Sequence, residues 1–141
     1  MYLYSQLAKT QKDINIGIIG CGKFISMFLA QLKNLKNIAV NTIVDINIDK
    51  AKLHCVKACL GKKIITSINF SNDPNDIIKN DNIDIVLEAT GNAKVGIINA
   101  INVINSKKHI IMVNVEADVV AGKYLSDLAN KNKVIYSMAY G

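Results

Sequence analysis

The chain has 141 residues, of which 50% are hydrophobic and 20% charged; this fits one globular domain and excludes disordered, collagen-like or low-complexity proteins. Its net charge of +6 comes from 17 scattered lysines and no arginine, so we expect no nucleic-acid partner. The sequence has no run of about 18 apolar residues and no leader-like N-terminus, so we expect a cytoplasmic protein without membrane contact.

Apolar runs alternate with amphipathic stretches along the chain. The predicted elements are strand 14–19, helix 23–34, strand 38–44, helix 49–60, strand 64–65, helix 73–80, strand 83–88, helix 93–106, strand 109–113, helix 119–131 and strand 133–136. Strands that are apolar throughout are typical of a sheet buried on both faces, and the alternation with helices indicates parallel strands. We therefore predict an α/β Rossmann fold, a doubly wound six-stranded parallel sheet in the order 3-2-1-4-5-6 with helices on both faces.

The first predicted strand runs directly into a glycine-rich turn. Its glycines occupy the first two positions of the dinucleotide-binding pattern G-x-G-x-x-G. The first glycine permits the tight turn, and the second lets a pyrophosphate approach the backbone at a helix N-terminus. The residues predicted to bind the cofactor here are Gly20, Cys21, Gly22, Lys23 and Phe24. The alternative is a glycine-rich turn with no ligand.

The third position of the pattern holds Ile25 instead of glycine. A branched side chain does not fit where glycine lets the helix contact the strand closely, so we expect it in the first helical turn, directed away from the pyrophosphate. On this view Ile25→Gly costs only the helix propensity of about 1 kcal/mol and keeps or improves cofactor affinity.

Asp45 ends the second predicted strand, 23 residues after Gly22. An acidic residue at this place accepts hydrogen bonds from the adenosine ribose of NAD and repels the 2′-phosphate of NADP. Because the chain has no arginine to offset that repulsion, we expect NAD to be favoured over NADP, unless Lys50 or Lys52 reaches the phosphate. The alternative is that Asp45 only caps the following helix.

Polar residues also follow the fourth and fifth strands, at the edge of the sheet where ligands bind. The residues predicted to line the nicotinamide side are Thr90, Gly91, Asn92, Asn114 and Glu116. Glu116 is the one candidate for moving a proton; the alternative is that Asp118 caps the helix and Glu116 is solvated. We expect the catalytic acid or base itself to lie beyond Gly141.

The three cysteines are odd in number, which indicates reduced thiols. Cys55 and Cys59 lie four residues apart beside His54 and would share a helix face. A zinc site needs four ligands and the chain has no second pair, so we predict no metal site.

Several stretches together resemble a known family. They are Leu3-Tyr4 with Leu7-Ala8, Ile18-Ile19-Gly20-Cys21-Gly22-Lys23-Phe24 with Met27-Phe28-Leu29-Ala30-Gln31, Glu88-Ala89-Thr90-Gly91-Asn92, the run from Lys108 to Val119, and Tyr136-Ser137-Met138-Ala139-Tyr140-Gly141. The chain resembles the N-terminal domain of homoserine-dehydrogenase-like oxidoreductases with a later SAF-type domain, a group that includes 1-deoxy-D-xylulose 5-phosphate reductoisomerase-like enzymes. The family usually has glycine where Ile25 and Lys107 stand.

The resemblance implies an NAD(P)-dependent oxidoreductase of which residues 1–141 are the cofactor domain. Segments for the substrate and for homo-oligomer formation would then follow Gly141. Homoserine, a sugar acid and a sugar phosphate remain open as the small hydroxy or oxo substrate.

Two alternatives remain open. One is a nucleotide-sensing regulatory module of a channel or transporter. The other is a sugar-type oxidoreductase of the glucose–fructose family, in which a lysine usually follows the fifth strand; here the next lysine is Lys123.

Overall fold

The structure is a computed structural model that describes residues 13–139. Two parts of the family resemblance, the motif in residues 3–8 and the final Tyr140-Gly141, lie outside the described residues. The elements in chain order are β1 (Ile14–Ile19), α1 (Lys23–Gln31, continued by a 3-10 turn at Leu32–Asn34), β2 (Ile38–Val44), α2 (Ile48–Lys57), α3 (Lys62–Ser67), β3 (Asn69–Ser71), α4 (Asn75–Ile78), β4 (Ile85–Glu88), α5 (Ala93–Asn105), β5 (His109–Met112), α6 (Val115–Asn132) and β6 (Tyr136–Met138).

The six strands form one parallel sheet in the order β3-β2-β1-β4-β5-β6. The predicted strand order and direction are confirmed. Ile18 of β1 lies opposite Ile43 of β2 on one side and Leu87 of β4 on the other, so the first strand is central. The chain reverses its direction of winding between β1 and β4, where doubly wound folds form their ligand crevice.

Two hydrophobic cores lie on opposite faces of the sheet. Ile18 belongs to the core under α1 and α2, whereas its neighbour Ile19 belongs to the core under α4, α5 and α6. Successive side chains of a strand point to opposite faces, so an uninterrupted apolar strand supplies both cores at once. This explains why the strands carry no polar alternation.

The prediction of a third strand at 64–65 is wrong. Ile64 and Ile65 lie in α3, which begins after Gly61, and the strand that follows is β3 at Asn69–Ser71. β3 pairs only with β2 at the edge of the sheet, so it needs fewer apolar residues and left a weak signal in the sequence. Its one aromatic residue, Phe70, packs against the first core.

Ile25 lies in the first turn of α1, as predicted, and its side chain is fully buried. It packs in the same core as Leu29 and Ile18. The small cost expected for Ile25→Gly is therefore wrong, because the change removes a whole buried side chain in addition to helix propensity. The helix accommodates an isoleucine where the usual pattern has glycine by making it part of the core.

Cys55 and Cys59 do not share a helix face. Cys55 is buried within α2, whereas Cys59 follows the end of the helix at a positive φ of 57° and is exposed. Over residues 13–139, no three His, Cys, Asp or Glu side chains come together in a way that could hold a metal ion. No helix in this part of the chain is long and apolar enough to span a membrane.

Candidate cofactor-binding site

The turn after β1 contacts the loop after β4 at the carboxyl edge of the sheet. Gly20 has a φ of 87°, and a Cβ atom there would lie 2.7 Å from the backbone carbon and oxygen of Ala89. The amide of Ala89 donates to the carbonyl of Ile19 at 2.8 Å. Glycine is therefore required at position 20 by the close approach of these two loops, independently of any ligand.

At Gly22, neither the backbone conformation nor a close neighbouring atom requires glycine. It has φ −89° and ψ −161°, which any residue adopts, and a Cβ atom there would meet no atom within 4 Å. Its missing side chain leaves open space at the start of α1, and this is the space that a pyrophosphate needs.

The N-terminus of α1 has no side-chain cap and no acidic residue in its first turn. By contrast, α2, α5 and α6 are capped by the side chains of Asn47, Asn92 and Asn114. Free amide groups and the positive end of the helix dipole favour an anion. The residues at this turn therefore fit a dinucleotide pyrophosphate.

The side chains of Cys21 and Phe24 do not face this space. Cys21 is 2% exposed, and its thiol lies 4.0 Å from the carbonyl oxygen of Ala51. Burial raises the pKa of the Cys21 thiol to about 12, with smaller contributions from Cys55 and Asp45. Phe24 packs against the first core. Cys21 and Phe24 could therefore contact a cofactor through their backbone atoms but not through their side chains. Lys23, by contrast, is exposed at the first position of α1.

Asp45 holds the glycine-rich turn in place. Its Oδ2 accepts from the amide of Cys21 at 2.7 Å, and its Oδ1 accepts from the amide of Asn47 at 2.8 Å. The cap of α2 is Asn47, which accepts from the amide of Lys50 at 2.9 Å, so the alternative that Asp45 is only a helix cap is wrong. Each carboxylate oxygen has a further lone pair, which leaves capacity for ribose hydroxyls.

Asn114 joins the loops that follow β4 and β5. It is 3% exposed; its Nδ2 donates to the carbonyl of Asn92 at 3.0 Å and contacts Oγ1 of Thr90 at 3.4 Å. Its Oδ1 accepts from the amide of Ala117 at 3.1 Å and caps α6. The side chain is therefore used within the protein, and the groups left for a ligand are those of the exposed loop at Gly91 and Asn92.

Glu116 lies exposed in the first turn of α6. The expected capping alternative is wrong in one respect, since Asn114 caps this helix and Asp118 instead accepts a hydrogen bond from the Tyr136 hydroxyl at 2.6 Å. The structure thus brings the glycine turn, Asp45, Thr90–Asn92 and Asn114 to one edge of the sheet.

Glu88 is the residue whose importance the sequence did not reveal. It ends β4, is fully buried, and its Oε1 accepts from Oγ1 of Thr90 at 2.7 Å and from Nδ2 of Asn99 at 3.3 Å. Its Oε2 is buried without a hydrogen-bond partner among residues 13–139. The signal in the sequence was a carboxylate closing an otherwise apolar strand.

The buried carboxyl of Glu88 predicts a dependence of stability on pH. Burial raises the pKa of Glu88 above its ordinary value of 4.5, and the nearby polar groups of Thr90, Asn99 and Asn114 offset this only in part. Because the pKa is higher in the folded chain, this contribution is full below 4.5 and is lost as the pH rises through the folded value. We expect the melting temperature of wild type to fall more steeply above pH 4.5 than that of Glu88→Gln, which cannot ionise. Equal slopes in a thermal denaturation series would contradict the assignment.

The chain is similar to a family of known oxidoreductases over almost its whole length. The model of the GFO/IDH/MocA oxidoreductase family, described as an oxidoreductase family with an NAD-binding Rossmann fold, matches residues 14–140. The chain belongs to this oxidoreductase family. It is accordingly an NAD(P)-binding oxidoreductase domain. GFO denotes the glucose–fructose type, so the absence of a lysine directly after β5 does not exclude this family.

Solved structures of other oxidoreductases are similar to this GFO/IDH/MocA domain. An oxidoreductase from Bacillus cereus is 26% identical with a TM-score of 0.71, over 89% of this chain and 34% of that one. A homoserine dehydrogenase from Staphylococcus aureus is 25% identical with a TM-score of 0.67, over 92% and 32%. A homoserine dehydrogenase from Thiobacillus denitrificans is 20% identical with a TM-score of 0.76, over 89% and 29%, which shows the fold alone.

The chain spans about a third of the length of these structures. No curated protein matches it.

Proposed function

We propose that this chain is the cofactor domain of a homoserine-dehydrogenase-like, NAD(P)-dependent oxidoreductase whose small hydroxy or oxo substrate binds to a downstream domain. The observation that carries the proposal is the open, uncapped start of α1 at Gly22, beside the Asp45 carboxylate. The likeness to the Staphylococcus aureus homoserine dehydrogenase supports the choice of substrate class. The SAF-type grouping, the cytoplasmic location and assembly through later segments belong to the same proposal.

Each part of the carboxyl edge has its own task in this proposal. The backbone of Gly20–Phe24 binds the pyrophosphate, and Asp45 accepts from the adenosine ribose. Thr90, Gly91, Asn92 and Asn114 shape the nicotinamide side, and Glu116 is positioned to exchange a proton with solvent or substrate. The bound cofactor supplies hydride transfer, and the protein supplies binding and orientation.

The direct test is a titration of this chain with NADH, followed by the fluorescence of the nicotinamide. The chain contains no tryptophan, so the signal is free of that background. Saturable binding supports the proposal, and no binding of any of NAD, NADH, NADP or NADPH would overturn it. In the complete protein, NAD(P)-dependent oxidation of homoserine or another small hydroxy acid supports the enzyme. Cofactor binding without turnover of any such substrate would instead favour the nucleotide-sensing module.

The choice of cofactor gives a prediction that depends on Asp45. We expect NAD(H) to bind at least about tenfold more tightly than NADP(H), because a 2′-phosphate would face a carboxylate and the chain has no arginine. Lys52 is held 5.7 Å from the Phe70 ring, which reduces its availability to a phosphate. Calorimetric titration with the four cofactor forms measures this ratio.

Asp45→Asn is the informative variant, because it removes the charge and keeps one acceptor oxygen, for the amide of Cys21 or for that of Asn47. We expect its preference for NAD(H) to shrink. Asp49→Asn is the matched control, since it removes an exposed carboxylate from the first turn of α2. Equal or tighter NADP(H) binding by wild type, or an unchanged preference in Asp45→Asn, would contradict the role of Asp45 in selecting NAD.

A further inference from the structure

The buried Glu88 lies beneath the loop that we assign to the nicotinamide side. Its Oε1 accepts from both the hydroxyl and the amide of Thr90, at 2.7 and 3.3 Å. Two hydrogen bonds to one oxygen fix both the backbone and the side chain of Thr90. The loop after β4 is therefore held by hydrogen bonds to a fully buried residue.

The hydrogen bonds that begin at Glu88 continue through Thr90 to Asn114 in the loop after β5. Oγ1 of Thr90 donates to Glu88 and is approached by Nδ2 of Asn114 at 3.4 Å, and the same Nδ2 donates to the carbonyl of Asn92. Gly96 of α5 makes room for this arrangement. A Cβ atom there would lie 2.5 Å from Nδ2 of Asn114 and 2.9 Å from Oε2 of Glu88.

A carboxylic acid at this position lowers the stability of the fold, which suggests that it is kept for another role. The polar groups beside it are all neutral: Thr90 in the loop after β4, Asn99 in α5, and Asn114 at the start of α6. Oε2 is buried with no partner in the described part of the chain. A buried polar atom without a hydrogen bond lowers the free energy of unfolding, and an apolar residue of similar size would avoid that loss.

We propose that Glu88 is a positioning residue for the cofactor, which acts through Thr90 and Asn114 to hold the nicotinamide-side loop in its binding conformation. This inference rests on the proposed cofactor function. It predicts that the pyrophosphate and adenosine half of the site depends little on Glu88. The glycine turn and Asp45 make none of these hydrogen bonds, and the glycine turn meets the loop after β4 at the backbone of Ala89 and Thr90.

The test compares NADH with ADP as ligands of this chain. ADP carries the pyrophosphate and adenosine but no nicotinamide, so it reports only on the half that Glu88 does not support. We expect Glu88→Met, which keeps the volume but not the acceptor, to weaken NADH binding about tenfold and to leave ADP binding unchanged. Glu88→Gln keeps an acceptor at the position of Oε1, and we expect it to restore NADH binding to near the wild-type value.

Thr90→Val serves if Glu88→Met does not fold, because it breaks the same link from the loop side. Its matched control is Thr42→Val, which removes a buried hydroxyl that donates to Oδ1 of its neighbour Asn41 in β2, at 2.8 Å. We expect Thr90→Val to weaken NADH binding selectively and Thr42→Val to leave both ligands unaffected.

Two outcomes would overturn the inference. One is NADH binding at wild-type strength by Glu88→Met or, if that variant does not fold, by Thr90→Val. The other is an equal loss of NADH and ADP binding, which would mean a purely structural role. Failure of the wild-type chain to bind any of NAD, NADH, NADP and NADPH would instead overturn the proposed function, so the two failures are distinguishable.

Discussion

Replacing Ile25 by glycine should lower the free energy of unfolding by about 3–6 kcal/mol. The side chain is fully buried in the core between α1 and the sheet. Losing a buried isoleucine costs about 2–5 kcal/mol, and glycine in a helix adds about 1 kcal/mol. Since domains of this size are stable by about 5–15 kcal/mol, this loss is a large fraction of the total free energy of unfolding. Urea denaturation followed by circular dichroism measures the change.

Met27→Gly is the matched control for this prediction. Met27 lies two residues further along the same helix and is 64% exposed, so only the propensity cost of about 1 kcal/mol should appear. Similar losses for Ile25→Gly and Met27→Gly would mean that Ile25 does not contribute to the core as the structure indicates.

Gly22→Ala should leave the fold intact and weaken dinucleotide binding at least about tenfold, which is about 1.4 kcal/mol. The backbone of Gly22 is in a conformation that alanine adopts, and its Cβ atom would meet nothing within 4 Å. The change in stability should be small, because the smaller freedom of the unfolded chain is offset by the lower preference for alanine at the N-cap of α1. The added methyl group would lie in the space assigned to the pyrophosphate, and the Kd for NADH measures the effect.

Gly61→Ala provides the control for this substitution. Gly61 also precedes a helix, α3, in an extended conformation, and a Cβ atom added there would meet nothing within 4 Å. It is likewise the N-cap of its helix and should show a similarly small change in stability, with no change in the Kd for NADH. An unchanged Kd for NADH in Gly22→Ala would place the pyrophosphate elsewhere and contradict the assignment of the glycine turn.

The alternation of apolar runs with amphipathic stretches was sufficient to predict the fold. The first strand is buried on both faces, and a strand in that position needs apolar residues throughout. Its apolar residues are Ile16, Ile18 and Ile19. The edge strand β3 was not predicted correctly because it is only three residues long. Asn69 is exposed and Ser71 only partly buried, so neither position needs an apolar residue. Ile64 and Ile65 had the right residue types for a strand, but the backbone after Gly61 closes a helical turn instead.

The glycine turn and Asp45 could be proposed as site residues from the sequence because their spacing follows from local chain geometry. A turn, a helix and a strand return the chain to the same edge whatever the rest of the protein does. What each residue does at that edge depended on contacts between distant segments. Only the tertiary structure shows that Gly20 is required by Ala89, that Asp45 holds the amide of Cys21, and that Ile25 is part of the core.

Glu88 illustrates the same division. The sequence by itself determined that a carboxylate ends the fourth strand. Its burial, its bonds to Thr90 and Asn99, and the space that Gly96 leaves beside it arise when β4, α5 and α6 pack together. Residue type and local periodicity decide which segments become strands and helices. The environment of one side chain is decided by neighbours that are far away in the chain, and these meet only when the sheet is assembled.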